Sequence, residues 1–164
     1  MPYTYDKIST TTLGSSATDI TFSSIPGTYT DLRLVISGTI ASPGSIYYAQ
    51  LNGDTGTNYS RTFIRGTNAS ASMNRAANQT TMYLANGGGS TTVPTFSTLD
   101  IFSYAGSDFK SALATAAECL NSAGQVTYLV NLWRSTAAVT SIKIFTDYNL
   151  NAGTSATIYG ILKA

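Results

Sequence analysis

Histidine is absent from the 164 residues, and cysteine occurs once, at Cys119. These shortages remove the Ser-His-Asp and Cys-His machinery of nucleophilic catalysis, most metal-ligand sets and any disulfide within the chain. A lone cysteine neither requires an oxidising compartment nor forbids one. Charge is scarce too: Asp, Glu, Lys and Arg make up 10% of the chain, against about a quarter in ordinary globular proteins. Nine basic and eight acidic residues leave a net charge of +1. The bases are scattered singly and form no patch that would follow a phosphate backbone, so nucleic acid is not an expected partner. No apolar run approaches the ~18 residues of a membrane helix, and the opening residues lack a basic-then-apolar leader pattern. Neither membrane insertion nor export is expected.

What the chain does contain points to strands. Hydrophobic residues make up 43% of it, and its length suits one hydrophobic core rather than two. Helix-favouring Glu and Lys are few, whereas there are 26 threonines, 20 serines and 11 tyrosines, residues suited to a pleated surface or a polar turn. Apolar residues alternate in short runs: Ile20 and Phe22; Leu32, Leu34 and Ile36; Ile142 and Ile144; Ile158 with Leu162. Further strands are expected at 46–51, 59–65, 80–85, 95–104, 110–120 and 125–134. The turns carry Gly, Asn, Asp and Pro, as in Ser-Ile-Pro-Gly at 24–27, Asn-Gly-Asp-Thr-Gly-Thr-Asn at 52–58 and Asn-Gly-Gly-Gly-Ser at 86–90. The expected fold is all-β: an antiparallel, jelly-roll-like sandwich of about eight to ten strands. It comprises an N-terminal arm over residues 1–17 and one domain over 18–164, with no internal repeat.

Two strands carry specific face assignments. In 110–120, Phe109, Leu113 and Cys119 share one phase and Lys110 and Glu118 the other, so the first set is expected inside and Cys119 buried. In 125–134, Val126, Tyr128, Val130 and Leu132 are expected to face the core. Residues 67–79 are small and polar and show no strand pattern.

No constellation with catalytic chemistry emerges. The seven aspartates and Glu118 are dispersed, mostly in turns, where a carboxylate ordinarily serves backbone hydrogen bonds. The 52–58 loop offers hard oxygen ligands in Asn52, Asp54 and Asn58, but only one is charged and the closing acid of a calcium loop is missing, so a structural turn is expected. The glycines at 87–89 precede no helix and no Lys, unlike a phosphate cradle. The three Asn-X-Ser/Thr sequons, at Asn58, Asn68 and Asn78, are what a chain this rich in Ser and Thr would contain by chance. The reading is non-enzymatic, without cofactor or metal.

Three stretches carry a resemblance: Phe22-Ser-Ser-Ile-Pro-Gly-Thr-Tyr-Thr-Asp-Leu-Arg-Leu34, Leu51-Asn-Gly-Asp-Thr-Gly-Thr-Asn-Tyr-Ser60, and Leu132-Trp-Arg-Ser-Thr-Ala-Ala-Val-Thr-Ser-Ile-Lys-Ile144 continuing to Ile158-Tyr-Gly-Ile161. In order and spacing the chain resembles a module of structural proteins of tailed bacteriophages, particularly phages of aquatic bacteria. The resemblance implies a β-sandwich on the virion exterior and brings no catalytic residue. The shared residues read as structural. Pro26 and Asp31 shape a turn into a strand, Gly53 and Gly56 sit with Asn52 and Asp54 in a loop of unusual backbone angles, and Trp133 fills space. The expectation is a capsid decoration or cement protein, made in the host cytoplasm and placed on the outer surface of the major capsid shell. Its expected partners are the major capsid protein and its own copies, as a trimer. Pro2, Tyr3 and Tyr5 are the expected capsid-contact residues. The alternative is a tail or head fibre component that binds a host-surface carbohydrate or receptor.

Overall fold

Burial alternates residue by residue wherever the sequence alternates. In the strand from Asp31 to Gly38, Leu32, Leu34 and Ile36 are buried while Arg33, Val35 and Ser37 between them are half-buried. The computed structural model describes residues 5–68, 70–87, 89–120 and 123–162, with backbone alone at 119, 120 and 123. Within these lie twelve strands and no helix: β1 (Tyr5–Thr12), β2 (Ala17–Phe22), β3 (Asp31–Gly38), β4 (Tyr47–Leu51), β5 (Tyr59–Thr67), β6 (Ser70–Gln79), β7 (Met82–Ala85), β8 (Thr95–Ile101), β9 (Lys110–Leu120), β10 (Ala123–Trp133), β11 (Ile142–Leu150) and β12 (Ser155–Ile161).

All pairings are antiparallel. Eight strands form one sheet in the order β1-β12-β3-β8-β9-β10-β5-β6, and four form the other in the order β2-β11-β4-β7. The sheets enclose one core. Leu32, Leu34, Ile36, Leu99, Leu129 and Ile158 from the larger sheet meet Ile20, Phe22, Ala49, Leu51, Leu84 and Ile144 from the smaller. The protein is thus an all-β antiparallel sandwich.

The strand count exceeds the eight to ten expected from the sequence, for two reasons. Residues 5–12, expected to belong to an arm outside the sandwich, form β1, the edge strand paired with β12 from Tyr5↔Ile161 to Thr12↔Ser155. Half of this stretch is Thr and Ser, and it shows no apolar stripe, because only one side of an edge strand meets protein. Residues 70–79 form β6, joined to β5 in register from Thr67↔Ser70 to Arg61↔Ala76. Almost every β6 residue is exposed on both faces, so hydrogen bonding builds the strand with no pressure for alternation.

One buried side chain clips the two sheets together. Asn131 of β10 donates from Nδ2 to the Tyr83 carbonyl at 3.0 Å and accepts from the Tyr83 N–H at 3.1 Å, replacing a missing strand neighbour for β7. Replacing Asn131 by leucine is expected to lower stability by about 2 kcal/mol, because both Tyr83 backbone groups lose their partner. Chemical denaturation checks it; a Leu variant as stable as the parent would show the clip to be dispensable.

Candidate interaction surface

The two face assignments made from sequence are both inverted. In β10, Thr127, Leu129, Asn131 and Trp133 are buried, while Val126, Tyr128 and Val130 point outward with 47%, 56% and 57% of their surface exposed. In β9, Lys110, Ala112, Ala114, Ala116 and Glu118 face the interior, and Leu113 lies outside in phase with Phe109 just before the strand. The interior tolerates the polar members because each is satisfied. The Lys110 ammonium donates to the Gly106 carbonyl at 2.7 Å and to that of Asp108, and burial lowers its pKa. The Glu118 carboxylate accepts from Thr127 Oγ1 at 2.9 Å and from Gln125 Nε2 at 2.5 Å. Alanines line the middle of β9 because β7 packs over it, leaving little room for larger side chains. The side chain of Cys119, expected to be buried, lies outside the described residues.

The consequence is an apolar band across the outer face of the eight-stranded sheet. Strand register sorts it into three rows running from β8 to β6. The first is Phe96, Ala117, Val126, Gly66 and Ala71; the second is Thr98, Thr115, Tyr128, Ile64 and Met73; the third is Asp100, Leu113, Val130, Thr62 and Arg75. Ile64 is 58% and Met73 78% exposed, and Phe102 and Phe109 extend the band past the third row. Together the large apolar residues leave roughly 900 Å² open to solvent, above the 300–600 Å² of the largest apolar patch on a typical monomer. The far end of the same face is polar. There Arg33 grips Asp100 through two hydrogen bonds of 2.6 and 2.7 Å and donates to the Tyr5 hydroxyl at 3.2 Å.

The residues singled out by sequence fall elsewhere, at structural positions. Pro2 and Tyr3 lie outside the described residues; Tyr5 lies in β1, half exposed, its ring edge-on to Tyr159. The Pro26 carbonyl accepts from the Tyr104 hydroxyl, and Asp31 Oδ1 accepts from the Ser103 N–H at 2.7 Å, so both tie the entry of β3 to the loop after β8. Asn52 and Gly53 adopt positive φ, 53° and 67°. The Asn52 amide oxygen accepts from the N–H groups of Thr140 and Ser141 at 2.8 and 3.1 Å, while its nitrogen donates to the Ala138 carbonyl at 2.8 Å. Gly56 departs from expectation: its φ lies in the ordinary range, and what it supplies is space, since a Cβ there would stand 2.9 Å from Asn58 Nδ2 and 3.0 Å from Asp54 Oδ1. Asp54 and Trp133, 79 residues apart, meet: Nε1 of the indole donates to the carboxylate at 2.7 Å, alongside Asn58 Nδ2 at 2.9 Å and the Gly56 N–H at 2.8 Å. Partial burial would raise the Asp54 pKa, but these donors outweigh it and hold the carboxyl below its usual range. The side-chain oxygens of Asn52 and Asp54 are thus engaged by the protein's own donors.

Among the described residues no three His, Cys, Asp or Glu side chains gather in a metal-binding group. A shallow, open depression of about 670 Å³ lies at the end of the band between the end of β5, the start of β6 and the start of β10, lined by Gly66, Thr67, Asn68, Ser70, Gln125 and Val126 among others. Sequence reasoning missed the band itself. Its one local signal is β10, where Val126-Thr-Tyr-Leu-Val-Asn-Leu-Trp133 is apolar in both phases, so one apolar set had to face out. Scans against family models, curated proteins and solved structures found no match to this chain.

Proposed function

We propose that the protein is a non-enzymatic structural protein of a tailed-bacteriophage virion that decorates the outer surface of the major capsid shell. The observation that carries this reading is the apolar band on the larger sheet. A surface of this size, with Asp100 and Arg75 as its charges among the described residues and both at the margin, is suited to packing against other protein. The resemblance of the 22–34, 51–60 and 132–161 stretches to virion modules supports it, since these supply the turns and pins that define the sandwich. Contacts that are largely apolar would hold across changes in salt, as a particle exposed to natural waters requires. Attachment to the major capsid protein is assigned to the N-terminal residues Pro2, Tyr3 and Tyr5, the last at the polar end of the outer face.

Purified particles provide the test. Copy number by quantitative protein analysis, with imaging of the particle, is expected to give many equivalent positions on the head. A few copies confined to the tail or to a head fibre would overturn the decoration role in favour of the receptor- or carbohydrate-binding alternative.

A further inference from the structure

We propose that a second copy of this chain covers the apolar band, in a face-to-face dimer whose two-fold axis runs along β10. The inference rests on reading the band as a protein-packing surface, and it names the partner. Area is the first argument. Roughly 900 Å² of exposed apolar side chain matches the ~800 Å² that each partner contributes to a standard stable interface.

Register supplies the second argument. A two-fold along β10 lays β8 of one copy over β6 of the other and β9 over β5, keeping each row opposite itself. In the second row Met73 then meets Thr98 and Ile64 meets Thr115, so the two most protruding aliphatic side chains enter the lowest ground. The Thr98 and Thr115 hydroxyls bond each other at 2.8 Å, which satisfies one of their two O–H donors. In the first row Phe96 meets Ala71, and Ala117 meets Gly66. In the third row Leu113 meets Thr62. Large faces small at Met73, Ile64, Phe96 and Leu113, and Val126, Tyr128 and Val130 meet their own symmetry mates on the axis.

Charge is the third argument. The same operation sets Arg75, exposed and without an ion pair among the described residues, opposite Asp100 of the other copy, whose carboxylate already holds Arg33 and would take Arg75 as a second cation, at the outer margin of the third row. An isologous surface must be self-complementary, and this one is so in size and in charge. The arrangement is two-fold, in place of the trimer expected at the outset.

The isolated full-length chain tests this by sedimentation and by cysteine cross-linking. At about 100 µM the parent is expected to sediment as a dimer, as a micromolar or tighter Kd requires. Val130→Lys, which places like charges together on the axis, is expected to give a monomer with an unchanged far-UV circular dichroism spectrum, and Arg75→Glu a dimer weakened about tenfold or more. In a Cys119→Ser background, Val130→Cys is expected to form a disulfide-linked dimer on mild oxidation. Met73→Cys is expected to do so only when mixed with Thr98→Cys. A monomeric or trimeric parent, a Val130→Lys variant that remains dimeric, or a Met73→Cys variant that cross-links to itself would each overturn the proposal. A monomer in solution that is still found on virion heads would remove the dimer and leave the proposed function standing; a dimer absent from particles would do the reverse.

Discussion

Replacing Trp133 with alanine is expected to cost the fold about 3–5 kcal/mol, a third or more of the stability a domain of this kind possesses. The indole is buried to within 2% of its surface and lies nearly parallel to the Tyr59 ring, 6.3 Å between centroids. Tyr59 belongs to β5 of the larger sheet, yet its hydroxyl accepts from the Leu51 N–H of β4 in the smaller sheet at 3.1 Å and donates to the Asp54 carbonyl at 3.1 Å. Burial pushes the Tyr59 pKa up to about 12, so this hydroxyl keeps its proton to donate at any ordinary pH. Removing the indole therefore opens a cavity at the point where the sheets are joined and takes a donor from Asp54 as well. Thermal unfolding is expected to show a loss of about 10 °C or more in Tm. Trp133→Phe keeps most of the ring and loses only Nε1, so about 1–3 kcal/mol is expected. An alanine variant within 1 kcal/mol of the parent would show the site to be far more plastic than its packing indicates.

Asp54→Ala is expected to cost about 2–4 kcal/mol at neutral pH, since Trp133, Asn58 and Gly56 lose a charged acceptor at once. The effect carries a pH signature. A carboxyl whose folded pKa lies below its unfolded value binds fewer protons in the folded state, so its stabilisation is complete above the unfolded value of about 3.9 and is lost as pH falls through the lower folded value. Stability of the parent is thus expected to fall steeply below about pH 4, and that of the alanine variant less so. Melting temperatures measured from neutral pH down to about pH 2.5 decide it. Parallel acid limbs in the two proteins would mean that Asp54 contributes through shape alone.

How far the sequence disclosed this arrangement depends on the element. β3 was legible because Leu32, Leu34 and Ile36 alternate with residues that can face out, and only one register buries them all. β10 was legible as a strand and misleading as to face. Its outward set, Val126, Tyr128 and Val130, is as apolar as its inward set, Leu129 and Trp133, and the choice is made by partners remote in sequence. Asn131 is drawn in by the Tyr83 backbone and Thr127 by Glu118. The same holds for Lys110, whose ammonium is accepted indoors only because the 106–108 turn presents two carbonyls to it. The 52–58 segment was plainly a turn. That its carboxylate serves Trp133 is information held by the fold, as is the apolar band, which exists only once β5, β6, β8, β9 and β10 stand side by side.

The strand order also sets a timetable for the chain as it leaves the ribosome. β11 lies between β2 and β4, and β12 between β1 and β3, so four strands from the first third of the sequence must wait for neighbours that emerge only after residue 141. Until then the lasting pairs available are β4 with β7, β3 with β8, and the run from β8 through β9 and β10 to β5 and β6. That early sheet already displays its apolar outer face, while its inner face lacks β2 and β11 of the smaller sheet. Folding to completion is therefore a slow, non-local step in which exposed apolar surface is present from the start. In the proposed dimer, rapid capture of that face by another copy would be protection as well as assembly.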